Sequence, residues 1–278
     1  SEKKNISGLL MTIKSEISAI SDPKYYYLPY YAALLEKNSG AKETLLLDSV
    51  RMVEATRNSQ EQDDDKISYF TGKVKIYEEL VEHYLAAGRL HDAYHFVYRC
   101  KSRTFNEIFL TDIPQGRDFI SALSARAGRR RIIDFFICRD RLLVFSVSQD
   151  SISIHEPTVT PEKLRLRIDN INILIKLSLS SRGLTKVSLR KIILQGLKEI
   201  SELIFPEYTA GCCIIPHLFL HNFPFGFLCL QGSEQISVFS SISTLIAGAE
   251  DRPVAPELTC FIDPLENLPQ AAEEKKRI

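Results

Sequence analysis

Residues 211–228, GCCIIPHLFLHNFPFGFL, decide how this chain is read. The run Cys212-Cys213-Ile214-Ile215 is short, apolar and cut off by Pro216, which predicts a buried, parallel-type strand entering a loop. The next twelve residues stay largely apolar, yet Pro216, Asn222, Pro224 and Gly226 forbid a continuous helix or a regular strand. The expectation is an irregular but packed loop, pinned by Leu218, Leu220, Phe223, Phe225 and Leu228. Buried loops leave backbone N–H and C=O groups in need of partners. His217, His221 and Asn222 are the polar side chains at hand to supply them.

Outward from this stretch the pattern alternates. Residues 131–138, 141–148 and 151–155 are β-rich runs separated by Arg139-Asp140 and Gln149-Asp150, which predicts an antiparallel meander. Residues 161–179 and 187–205 have helical spacing, through Leu164, Ile168, Ile171 and Ile175 and then Ile193, Leu197, Ile200 and Ile204. Between them, residues 178–186 with Gly183 read as a flexible loop. Strands are expected again at 211–215, 236–239 and 257–262. Helix alternating with strand predicts an α/β domain with a mostly parallel sheet.

Residues 6–110 read as helices only. Leu9, Leu10, Ile13, Ile17 and Ile20 have helical spacing, and a turn at Asn38-Ser39-Gly40 precedes a helix through Leu45, Val50 and Val53. A polar, acidic stretch follows as far as Lys66. Pro114 and Gly116 then mark a break. The division is a helical module at 1–112, a linker at 113–128 and an α/β part at 129–278.

Lys plus Arg and Asp plus Glu both number 35, so the neutral total gives no global electrostatic case for nucleic acid or an anionic membrane. No apolar run is long enough to span a bilayer. The six cysteines form no C-x-x-C pair, which argues against a zinc ribbon or a thioredoxin-type motif and predicts free, buried thiols in a cytoplasmic protein. His217 and His221 are four residues apart. The prolines around them argue against a helical metal pair, and no Glu follows His217, so a loop-stabilising role is expected and no metal or cofactor is implied. His91 and His95 flank Asp92 on what reads as an exposed polar face. Arg126, Arg129, Arg130 and Arg131 read as a solvated flank.

The segment Pro216-His217-x-x-Leu220-His221-x-x-Pro224-Phe225-x-x-Leu228 resembles the "PHGxLHxLPFxAL" segment of CHAT domains, caspase-like cysteine peptidases found behind tetratricopeptide repeats. It departs from that pattern at Leu218-Phe219, where a glycine-containing pair is usual, and at Gly226-Phe227. Ser240-Ser241-Ile242-Ser243-Thr244-Leu245 resembles the family's "SxSxL" segment, and Asp263-Pro264 with Leu268-Pro269-x-Ala271-x-x-Glu274 its "DP…LPxAxxE" segment. Tyr77, Leu80, Val81, Tyr84, Gly88, Ala93, Val97 and Cys100 are similar in spacing to one tetratricopeptide unit. Lys101-Ser102-Arg103 resembles the extension that joins such repeats to a CHAT domain.

The resemblance implies a helical repeat module followed by a caspase-like α/β domain, incomplete at its C-terminal end. The family's His/Cys dyad segments do not occur here, so no catalytic residue is assigned and the dyad is expected beyond Ile278. Pro216, His217, His221, Pro224 and Phe225 are expected as structural residues. The implied partners are a protein or ribonucleoprotein regulator on the repeats, the remainder of the CHAT domain, and a protein substrate, with no membrane. The alternatives are a non-enzymatic protein-interaction scaffold and an α/β module binding a small ligand near His217.

Overall fold

The computed structural model describes residues 22–58, 73–101, 117–127, 130–149, 151–205, 211–231, 236–242 and 245. Among these residues it holds seven α-helices and one mixed five-stranded sheet. Strands β1 (Ile132–Cys138), β2 (Arg141–Ser148) and β3 (Ser151–His155) form the antiparallel meander. β4 (Cys213–Ile215) and β5 (Ser237–Val238) add in parallel on the other side of β1, giving the order β3-β2-β1-β4-β5. The sheet is therefore mixed rather than mostly parallel. Arg139-Asp140 is a two-residue turn and can join only antiparallel neighbours, whereas β4 returns after a long helical excursion and is free to run parallel. Arg139 takes φ 55° in that turn, and its guanidinium pairs with Glu79.

Helices cover both faces. α1 (Tyr27–Leu35), α2 (Ser39–Asn58), α3 (Val74–Ala86), α4 (Leu90–Lys101) and α5 (Arg117–Arg126) share one apolar cluster with Ile132, Phe136, Cys138, Phe145 and Ile215. α6 (Pro161–Ser180) and α7 (Gly183–Ile204) share the other with Ile133, Phe135, Ile137, Val144 and Ile214. The alternation of side chains along a strand assigns these two sets to opposite faces. β1, covered by helices on both faces and by strands on both edges, is buried along its whole length.

Local chemistry explains the helix ends. Asn38 Oδ1 accepts from the Ala41 N–H at 2.9 Å, capping α2. Thr160 caps α6 ahead of Pro161, whose missing N–H is no loss in a first turn. Between α3 and α4, Gly88 takes φ 70°, and the Arg89 N–H reaches the Tyr84 carbonyl at 2.8 Å. Tyr77, Leu80, Val81, Tyr84, Ala93 and Val97 are buried along this hairpin. Within residues 113–128, α5 buries Phe119, Ile120 and Leu123 in the same cluster.

Two further expectations are corrected by the helices. Residues 178–186 are no flexible loop: α6 runs to Ser180 and α7 starts at Gly183, leaving only Ser181-Arg182 as the connection. His95 does not lie on an exposed face, because its ring packs edge-on against Phe96 and Phe119. Helix α5 supplies that cover, and nothing within α4 announced it. The expected helix through Leu9 and Ile20, the acidic stretch before Lys66, the extension after Lys101, the break at Pro114 and Gly116, the strand at 257–262 and Cys260 lie outside the described residues.

Candidate functional site

Where β4 stops, the parallel ladder stops. β1 and β4 pair only from Ile132–Asp134 against Cys213–Ile215, and Pro216 has no N–H with which to continue. The backbone groups of β1 and β4 around that point need other partners, and two side chains provide them. His217 Nδ1 accepts from the Ile137 N–H at 2.9 Å. Lys101 Nζ, at the end of α4, donates to the Phe135 carbonyl at 2.9 Å and to the Ile215 carbonyl at 3.3 Å. Its third donor goes to the Asp134 carboxylate. An ammonium has three donors, and all three are used.

This cluster lies inside the protein. The Lys101 side chain is 4% exposed and that of Asp134 0%. Tyr94 donates to the other Asp134 oxygen at 3.2 Å, and its ring packs on Phe119 and Phe145. Burial lowers the Lys101 pKa and raises that of Asp134, each opposed by the charge of the other. Burial and the Asp134 charge push the Tyr94 phenol well above its usual value.

His217 stacks on Phe136 with ring centroids 5.0 Å apart. Burial, then the Lys101 and His221 charges, hold its pKa well below the usual imidazole value. The ring is neutral, and acceptance at Nδ1 places its proton on Nε2. His221 is exposed, and partial burial with the Lys101 charge lowers its pKa also. His217 and His221 thus feel the same ammonium.

The rest of the loop folds as two short 3-10 turns, Leu218–Asn222 and Phe225–Gln231. Leu220, Phe223, Phe225, Phe227 and Leu228 are buried in the cluster shared with α6 and α7. Leu218, expected among the pinning residues, is instead 61% exposed with φ 51°. Pro216 is buried and Pro224 half-buried. The Phe225 ring meets Phe135, Phe205 and Phe223 at 6.0, 6.3 and 4.9 Å. The Asn222 carbonyl accepts from Asn172 Nδ2 at 3.0 Å, tying the loop to α6. A groove of about 530 Å³ beside Asn222 is lined by Asp169, Asn172, Ile173, Ile175 and Lys176, and His217 is not part of it.

Cys100, Cys138, Cys212 and Cys213 are free and buried. Burial raises all four thiols, Cys100 to about 12 and Cys212 to about 11, so each stays protonated at neutral pH. Among the described residues no group of three or more His, Cys, Asp or Glu side chains is placed to hold a metal ion. The arrangement joins α4, β1, β4 and the loop after β4.

Asp134 and Tyr94 escaped the sequence reading, and Lys101 entered it only as the start of the resembled extension. One signal was available: Asp134 is the only charged residue in Ile132–Cys138, IIDFFIC, and a carboxylate in a fully buried strand requires a partner. Comparison with protein-family models, curated proteins and solved structures found no match. Among the described residues, no helix is long and apolar enough to cross a membrane.

Proposed function

We propose that the chain is the regulatory and scaffold portion of a tetratricopeptide–CHAT protein of the caspase-like cysteine endopeptidase kind. Its helical face receives a protein or ribonucleoprotein regulator, and its sheet passes the effect to a catalytic pair in the remainder of the domain, which acts on a protein substrate. The observation that carries this reading is the Lys101 ammonium, at the last residue of α4 and bonded at once to β1 and β4. A partner that displaces α4 acts directly on the parallel strand pair, with no flexible joint between. Leu218 supports the family resemblance independently. It stands within the pair where the resembled segment carries glycine, and its backbone occupies the left-handed region that glycine enters without steric cost.

The test extends the chain through the rest of the domain and measures cleavage of candidate protein substrates with and without the regulator. Cleavage that rises with the regulator supports the proposal, as does a Lys101→Met/Asp134→Leu variant that binds the regulator without responding to it. Regulator bound and no cleavage under either condition rejects the peptidase. The non-enzymatic interaction scaffold would then stand.

A further inference from the structure

The neutral total charge conceals a local asymmetry. From Asn170 to Lys198 there is no acidic residue, and Lys176, Arg182, Lys186, Arg190, Lys191 and Lys198 are all basic. This segment is the distal part of the α6–α7 hairpin. From Asn172 to Ile192 only Ser178 is buried, and the buried stripe of α7 begins at Ile193. The end of the hairpin therefore stands clear of the sheet.

That free end is apolar as well as basic. Ile173, Leu177, Leu179, Leu184, Val187 and Ile192 are exposed, Leu179 by 75% and Leu184 by 85%. Leu177 and Leu179 are two residues apart, so they point to nearly opposite sides of α6. A protein groove covers one side of a helix, whereas a lipid layer surrounds an end that enters it. The serine hydroxyls at the C-terminal end of α6 are satisfied from within, while the N-terminus of α7 has no side-chain cap. The Ser178 hydroxyl donates to the Ile175 carbonyl at 2.8 Å, and those of Ser180 and Ser181 donate to the Leu177 carbonyl at 3.0 and 2.8 Å. Backbone acceptors that enter a lipid interface need such partners, because water is scarce there.

We propose that the end of the α6–α7 hairpin docks on the surface of an anionic lipid bilayer. Leu177, Leu179, Leu184 and Val187 enter the boundary between headgroups and acyl chains. Lys176, Arg182, Lys186 and Arg190 extend their stems to keep their charges at the depth of the lipid phosphates. The hairpin lies in the interface and does not span it. This proposal is independent of any peptidase activity.

The test is co-sedimentation of the whole chain with vesicles of phosphatidylcholine alone and of phosphatidylcholine with phosphatidylserine. Binding is expected to the second only, and to weaken as salt screens the charges. At about 1 kcal/mol per basic residue near the surface, Lys186→Gln/Arg190→Gln lowers the partition constant about 30-fold. Leu179→Ser/Leu184→Ser lowers it at least about tenfold through lost apolar burial. Leu179, Leu184 and Arg190 are exposed and Lys186 is half-buried, and unchanged circular dichroism melts certify the fold of the variants. No sedimentation, equal binding to both vesicle types, or variants that bind like the parent overturns the proposal. So does binding to polyglutamate with both vesicle types ignored, which would assign the hairpin to an acidic protein.

Discussion

Replacing Lys101 by Met removes the cation and keeps most of the side-chain volume. Among the described residues Asp134 is then a carboxylate at 0% exposure with only the Tyr94 hydroxyl as partner, and the Phe135 and Ile215 carbonyls lose the Lys101 donor. Breaking a buried pair by deleting one partner costs about 3–5 kcal/mol, because the remaining charge is uncompensated. That is a large share of the roughly 5–15 kcal/mol that holds a typical domain together. The Lys101→Met/Asp134→Leu double variant removes the stranded charge and recovers most of the loss. A residue of about 1–3 kcal/mol remains, from carbonyls and a hydroxyl left without partners. The chain has no Trp, so urea unfolding is followed by far-ultraviolet circular dichroism. A pH series adds an independent readout. The folded-state pKa of Asp134 is already raised, and without the ammonium it rises further, so the single variant binds a proton more readily folded than unfolded. Its stability falls as pH rises through that folded value, making it less impaired at acid than at neutral pH. A single variant that loses less than about 1 kcal/mol, or two losses that simply add, would refute the reasoning.

Three further outcomes follow from the loop and the buried imidazoles. Leu218→Gly relieves a left-handed residue, worth about 1–2 kcal/mol, against about 0.5–1 kcal/mol of added unfolded-chain entropy, so the urea midpoint should rise slightly. A clear fall would show that the Leu218 side chain pins the loop after all. Phe225→Ala empties a site bounded by Phe135, Phe205 and Phe223 and should cost about 3–5 kcal/mol in the same assay. Burial depresses the folded pKa of His217 and takes that of His95 to about 4, so each adds stability above its unfolded value of 6.5. That stability is lost as pH falls below 6.5 through each folded value, and His217→Gln should flatten the profile below 6.5. An unchanged slope in that variant would remove His217 from the account.

Much of the secondary structure was legible because it is decided between chain neighbours. Arg139-Asp140 separates two β-rich runs, and the Leu164, Ile168, Ile171 spacing repeats at the period of a helix. Pro216 and Pro224 exclude regular structure whatever surrounds them. Those rules also showed that His217 sits in a packed loop short of backbone partners. They could not name its bond to the Ile137 N–H, 80 residues earlier. Lys101 was legible only as part of a resembled extension, since the strands that take its three donors lie 33 to 114 residues further on.

Sequence by itself determined the order of the described helices and strands apart from α5, the meander, the interrupted strand at Pro216 and the burial of Cys100, Cys138, Cys212 and Cys213. Each follows from side-chain size, branching and backbone freedom acting over a few residues. Only the tertiary structure decided that β4 runs parallel to β1, that α5 covers His95, that Lys101 and Asp134 meet inside the protein, and that the α6–α7 end stands free of the sheet. Those facts depend on which surfaces come together across the whole chain, and desolvation then turns an ordinary lysine and aspartate into a buried clamp.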